Sequence, residues 1–387
     1  MPLIRKLLGV PKAAGVGNKK RNIFFSVLSG AGLFTWGNGG SGVLGLGSTA
    51  NRSSPSQVGS LTNWSQVAGG GNFSMATKTD GTLWSWGANT SGSLGLGNNT
   101  AYSSPKQIGA LTNWLNIAGG SYHTVAVKTD GTLWIWGMNG NGQLGLGNLT
   151  YYSSPKQVGA LTVWSKVAAG ASSTFAIKTD GTLWSWGSNA NGVLGLNFAS
   201  YTNQQSSPNQ VGALTTWLHV GCGLYSAYAI KTDGTFWVWG RNTNGRLGLG
   251  NITEYISPKQ LGALTNWSTL SPRNFSNGSA SFGAIKTDGT LWMWGSGLAG
   301  QLGLGNTTDY SSPKQVGSLT TWLRIVSGYR NAVAIKTDGS LWSWGYNPQG
   351  QLGLSNTTYY SSPKQVGTLY TWYTANSGRL FYMGIIS

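Results

Sequence analysis

The sequence predicts an all-β fold in which seven similar units stack radially as a seven-bladed β-propeller, closed by the C-terminal strand. Three observations predict it. The phrase KTDGTLWSWG at 78–87 recurs in close variants beginning at Lys128, Lys178, Lys231, Lys286 and Lys336. A longer frame, Leu-Gly-Leu-Gly followed by Pro and then Trp, repeats seven times at a period of about 50 residues. Short strand-like runs separated by Gly, Asn and Ser fill each unit, and no helical periodicity persists.

The ten-residue phrase reads as a β-hairpin. Asp-Gly supplies the turn, on the expectation that both residues adopt the left-handed conformation. Alternation then places Trp84 and Trp86 on one face, with Leu83 and Ser85 on the other. A lone hairpin is marginal in water. The longer frame starts at Leu44, Leu94, Leu144, Leu194, Leu247, Leu302 and Leu352, and ends on Trp64, Trp114, Trp164, Trp217, Trp267, Trp322 and Trp372. Ordering fifty residues costs on the order of 50–100 kcal/mol of backbone entropy, and burying a tryptophan pair returns only a few kcal/mol. Units must therefore cover one another.

The ends of the chain predict closure. The segment after Trp372 aligns with that after Trp64, which sets Phe381 opposite Phe73. Gly32–Gly37 matches the second half of the hairpin phrase but has no turn before it. The last strand therefore completes the first blade, with Asn22–Leu28 as the rival. Residues 30–387 are read as the propeller and residues 1–29 as a basic N-terminal arm.

Composition narrows the function classes. The 387 residues carry a net charge of +17, and nine per cent are charged. Arg5, Lys6, Lys12, Lys19, Lys20 and Arg21 lie in the arm with no acid, and the six Lys-Thr-Asp-Gly turns cancel internally. The remaining acids are Glu254 and Asp309. Such a balance suits an anionic partner without identifying it. No segment approaches the apolar length of a membrane span, so no membrane insertion is expected. The basic start lacks a secretory apolar core and is read as retained. Cys222 is the single cysteine and reads as a small buried hydrophobe.

At YHTVAVKTDGTLWIWGMNGNGQLGLGN, residues 122–148, followed by the SSPKQVGAL-type segment and Trp, the chain resembles the regulator of chromosome condensation repeat, with its alpha-tubulin suppressor-like bacterial and phage relatives. The resemblance covers roughly residues 30–387 and implies the seven-bladed propeller. The family's founding member is a guanine nucleotide exchange factor that contacts chromatin. That activity is the least supported reading here, because fold alone does not carry function and acids outside the turns are scarce.

Catalytic and metal sites are expected to be absent, and no cofactor is implied. His123 reads as a packed structural histidine. His219 and Cys222 lie three apart in a strand-like run and therefore on opposite faces, which excludes a nucleophile pair. The turn aspartates Asp80, Asp130, Asp180, Asp233, Asp288 and Asp338 are too dispersed to share an ion. The Asn-x-Thr triplets are read as left-handed turns rather than glycan acceptors. No base-reading module is evident, so direct nucleic-acid contact is not favoured.

Two features remain for binding. Five units pair a tyrosine with a lysine four residues on: Tyr102/Lys106, Tyr152/Lys156, Tyr255/Lys259, Tyr310/Lys314 and Tyr360/Lys364. In a ring these fall at one radius and on one face, as a circlet suited to an anionic or glycan ligand. Packing against the next blade and protection of an edge strand are the alternative reading. In the arm, Ile4, Leu7 and Leu8 share helical spacing beside Arg5 and Lys6, ahead of a flexible stretch holding Lys12, Lys19, Lys20 and Arg21. The expected function is a non-enzymatic structural or binding protein of a bacteriophage virion, in the capsid decoration, vertex or tail, docked through its arm on other virion proteins. The alternative is a bacterial surface or extracellular propeller that recognises a glycan or protein.

Overall fold

The computed structural model describes residues 31–198, 203–271, 281–368 and 370–387, with the backbone of 273–274. The arm residues Ile4, Arg5, Lys6, Leu7, Leu8, Lys12, Lys19, Lys20 and Arg21, and the rival strand Asn22–Leu28, lie outside the described residues. Seven sheets surround one axis, six of four strands and one of five.

The second blade shows the plan. Its strands are Trp64–Gly69, Phe73–Lys78, Leu83–Gly87 and Tyr102–Gln107, paired antiparallel in that order. Trp64–Gly69 touches the first strands of both neighbouring blades and is innermost; Tyr102–Gln107 is outermost. The Asp-Gly turns and the crossings to the next blade lie at one end, the turn side. Inner hairpin tips and the Leu-Gly-Leu-Gly excursions lie at the other, the loop side.

Closure is C-terminal, as expected. Phe381–Ile386 inserts between Trp372–Ser377 and Leu33–Gly37, in register from Leu33 opposite Ile385 to Gly37 opposite Phe381. The first blade is thus built from both ends of the chain.

The hairpin turn differs from expectation in one respect. Only its glycine is left-handed, with φ +79° at Gly81, and Asp80 is absent from the non-glycine residues at positive φ. The aspartate works through its carboxylate: Asp80 Oδ1 accepts from the Thr82 N–H at 2.9 Å and the Thr82 hydroxyl at 2.6 Å. The Trp84 indole then donates to the Thr82 oxygen at 3.0 Å. The Asn-x-Thr triplets are corrected likewise. Asn98, Asn148, Asn251, Asn306 and Asn356 are not left-handed; each Oδ1 accepts from the threonine N–H two residues on, at 3.0–3.1 Å. A short polar side chain closes such a turn without strain.

The core lies between blades. Trp84 and Trp86 pack with Trp64 toward the first blade, whereas Leu83 joins Trp114 and Trp136 toward the third. That alternation is the one read from sequence. Each fully buried tryptophan of the Trp-Gly pair also donates its indole N–H to a carbonyl in the preceding unit's excursion, as Trp86 does to Val43 at 2.9 Å. Gly45 makes that approach feasible: it has φ +72°, and a Cβ there would stand 2.7 Å from the Trp86 indole nitrogen.

The inner strands converge toward the loop side. A Cβ on Gly69 would lie 2.2 Å from the Ser377 carbonyl oxygen. The tips are also linked from blade to blade: the Arg379 amide donates to Gly71 O and the Gly71 amide to Gly120 O, at 3.3 and 3.1 Å. The axis is therefore narrow at that end. At the turn side the same strands begin with a register shift after each tryptophan, between Trp64 and Gln66 in the second blade, and carry full side chains.

Candidate interaction surfaces

The five Tyr–Lys pairs differ from expectation in their place. They sit on outermost strands, so they circle the rim and do not form a circlet on a flat face. The reason is strand order: the strand that carries them is the fourth of its blade, farthest from the axis. The structure does bring each pair together. Nζ of Lys106, Lys156, Lys259, Lys314 and Lys364 lies 5.3–5.7 Å from the ring centroid of Tyr102, Tyr152, Tyr255, Tyr310 and Tyr360 respectively. Each tyrosine hydroxyl also accepts from the asparagine four residues earlier, as from Asn98 Nδ2 to Tyr102 at 3.3 Å. One edge of each ring is thereby fixed by an excursion. Lys106, Lys156, Lys259, Lys314 and Lys364 are all exposed.

A second cationic set is taken up in packing, with Lys78, Lys128, Lys231 and Lys286 buried and Lys178 and Lys336 half-buried. Lys78, Lys128, Lys178, Lys231, Lys286 and Lys336 each hold Nζ 3.7–3.9 Å above one tryptophan ring, Trp84 for Lys78. The inner-strand tryptophan lies 4.9–5.2 Å from the same nitrogen. These lysines serve the fold by a cation–π clamp. Their aspartates are tied to the turn; the Thr132 hydroxyl and amide hold the Asp130 carboxyl below the usual carboxylate range.

The structural readings of His123 and Cys222 hold. His123 is fully buried and its Nε2 lies 3.0 Å from the Thr174 hydroxyl, which itself donates to Gln143 O at 2.8 Å. That chain leaves Nε2 as the donor. Cys222 is 1% exposed and packs in the core with Phe175, whereas His219, on the other face of the strand, is half-buried beside the axis. Glu254 is bound by Asn191, and Asp309 by Asn244, Ser296 and the Gly297 amide. Among the described residues no three His, Cys, Asp or Glu converge.

One surface escapes the sequence reading. The second residue after each inner-strand tryptophan is Gln66, Asn116, Lys166, His219, Thr269, Arg324 or Thr374. All seven occupy the same register against the second strand, just past the register shift. All are half-buried and polar. Several reach to the next inner strand: Gln66 Nε2 and Lys166 Nζ donate to Leu115 O and Leu218 O, and Arg324 lies over the Tyr373 ring at 5.6 Å. They form a polar collar around the turn-side end of the axis. A signal for it is present in the sequence, since this position is polar in all seven units while its identity changes from unit to unit.

Burial, together with the charge of Lys166 3.4 Å away, pushes His219 down to about 4. Burial also lowers Lys166. Lys166 and Arg324 are the collar's two basic residues beside His219, which is neutral at pH 7.

Comparison with known proteins agrees with this geometry. A family model described as the RCC1-like domain matches residues 33–383. The human probable E3 ubiquitin-protein ligase HERC3 is 36% identical over 107 residues, and the Arabidopsis thaliana ultraviolet-B receptor UVR8 is 34% identical over 99 residues. Those alignments span 27% and 26% of this chain, but only 10% and 22% of the relatives. Yeast RCC1 (Prp20), crystallised with Kap60, superposes with a TM-score of 0.82 at 17% identity, over 99% of this chain and 96% of that one. Human WBSCR16 superposes with a TM-score of 0.80 at 20% identity, over 92% and 98%. At these identities the two structures establish a shared fold.

Proposed function

The chain belongs to the RCC1-like domain family, and on that premise we propose that it is a non-catalytic propeller whose rim binds a partner protein. One observation carries the reading: five outer strands present the same tyrosine stacked under an exposed lysine, each ring anchored by an asparagine. Packing accounts for the tyrosine and edge protection for a lysine; the binding reading rests on the recurrence of the same stacked, anchored pair on five blades. Repetition at one radius offers several weak contacts that act together, which multiplies affinity for a partner spanning adjacent blades. Yeast RCC1 (Prp20), which shares this fold, has been crystallised with a protein partner, Kap60.

Ligase chemistry is not part of the proposal. The aligned stretch is 10% of HERC3, and the single sulfhydryl here is buried. We place the propeller on a phage virion, a setting supported by its near-identical Asn- and Thr-rich repeats and by the cluster of cations in residues 1–21. Finding the chain only outside purified particles would overturn that placement.

The rim is tested by photocrosslinking in the native assembly, with p-benzoylphenylalanine replacing Tyr152 or Tyr310. Adducts to a second polypeptide are expected. They should vanish when Lys106, Lys156, Lys259, Lys314 and Lys364 all become glutamate while the melting transition is retained. No adduct, or one indifferent to charge reversal, overturns the rim assignment.

A further inference from the structure

Repeat proteins retain what packing requires, so departures from the repeat show where packing is not in control. One set of departures lies at the turn-side end of the axis. The residue after each inner tryptophan is Ser65, Leu115, Ser165, Leu218, Ser268 or Leu323 in the second to seventh blades, and Tyr373 in the first. The serines at 165 and 268 fold back onto carbonyls of their own second strand. Leu115, Leu218 and Leu323 instead stand 37%, 39% and 47% exposed. Apolar knobs therefore alternate with serines from the second blade to the seventh, where Leu323 meets Tyr373 of the first. Directly beneath them lies the polar collar.

The collar holds no compensating charge of its own. Lys166 and Arg324 belong to different blades, and no carboxylate occupies any of the seven equivalent positions. Arg324 is half-buried with its guanidinium laid over the Tyr373 ring, and no carboxylate among the described residues bonds to it. The remaining collar groups, amides and hydroxyls, can donate to an acceptor placed there. The turn aspartates are each held by their own threonine or serine.

We propose that the turn-side end of the axis is a second binding site, one that takes a carboxylate carried on an apolar-flanked segment of a partner protein. The carboxylate enters the collar between Lys166 and Arg324, and its apolar neighbours rest on Leu115, Leu218, Leu323 and Tyr373. Inner strands drawn together at Gly69 and Ser377 close the far end, so the segment enters from the turn side and stops there. This site is independent of the rim.

The two histidines make the test direct. His219 borders Lys166, whereas His123 is fully buried and serves as an internal control of folding. The full chain is titrated by NMR with the capped peptide Leu-Glu-Glu-Leu, its Leu-Gln-Gln-Leu counterpart, and inorganic phosphate. The acidic peptide should raise the apparent pKa of His219 by about one unit, because a nearby anion favours the charged imidazole, and should leave His123 unmoved. Lys166→Met should weaken binding on the order of tenfold, Lys166→Arg should restore most of it, and charge reversal of the rim lysines should change nothing. If the Met variant loses the His123 signal, Arg324→Gln takes its place with the same expectation. The proposal is overturned if His219 does not respond, or if the glutamine peptide or phosphate works as well as the acidic peptide.

Discussion

The indole nitrogen of Trp36 lies 3.0 Å from the carbonyl oxygen of Gln351, 315 positions away in the chain. The same bond recurs at every other junction, from Trp86 to Val43, Trp136 to Ser93, Trp186 to Gln143, Trp239 to Val193, Trp294 to Arg246 and Trp344 to Gln301, at 2.8–2.9 Å. Six of these link neighbouring units in sequence, and the seventh turns the row into a ring.

Trp36→Phe and Trp239→Phe should each cost about 2–4 kcal/mol, from the volume lost in a core and a buried carbonyl, Gln351 O or Val193 O, left without its indole donor. Urea unfolding of the full chain measures both. Equal losses are expected if closure is as complete as the other junctions; a negligible loss at Trp36 would mean an open ring.

Two glycines separate backbone strain from steric clash. Gly109 has φ +57° with nothing within 4 Å of an added methyl, so Gly109→Ala should cost about 1–2 kcal/mol from conformation alone. Gly95 has φ +72°, and its Cβ would stand 2.6 Å from the Trp136 indole nitrogen. Gly95→Ala should therefore be clearly the worse of the two, read as a lower urea midpoint.

Stability should fall in acid through His219. Its folded value of about 4 lies below the ordinary 6.5, so the unfolded chain binds more protons across that interval. Stability is fully present above pH 6.5 and declines by about 1.4 kcal/mol per unit as pH drops toward 4. His219→Gln should flatten that limb of the thermal-melting profile. The turn aspartates act lower: Asp130 is held down by Thr132, and its contribution is lost only below about 3.8.

Asn148 ties the rim to its excursion, accepting from the Thr150 amide at 3.0 Å and donating to the Tyr152 hydroxyl at 3.4 Å. Asn148→Ala should cost about 1 kcal/mol in stability. It should also lower photocrosslinking from p-benzoylphenylalanine placed at exposed Ser154, with Tyr152 left intact, while sparing the same probe at the equivalent Ser312. Equal yields at both would show that ring anchoring does not matter to the partner.

Much of this architecture can be read without coordinates. The seven-fold frame fixes the number of blades, Trp84/Trp86 alternation fixes which faces meet, and the truncated match at Phe381 predicts closure. These are properties of spacing, and spacing is visible in one dimension. The role of Asp80 is not legible there, because hydrogen-bonding and left-handed roles favour the same residue types in turns. Tyr152 and Lys156 are legible as a unit, like Tyr102 with Lys106, Tyr255 with Lys259, Tyr310 with Lys314 and Tyr360 with Lys364. Their place on the rim depends on strand order, which spacing leaves open.

By itself the sequence determined the repeat, its β character and the closed ring, because each follows from local pattern and from the inability of one unit to bury its own tryptophans. Only the tertiary structure decided what stands beside what. Lys166, His219, Arg324 and Tyr373 come from four blades far apart in the chain, and radial stacking alone carries their strands to a common axis. Pairwise alternation describes one sheet face, whereas a collar is a property of seven sheets at once.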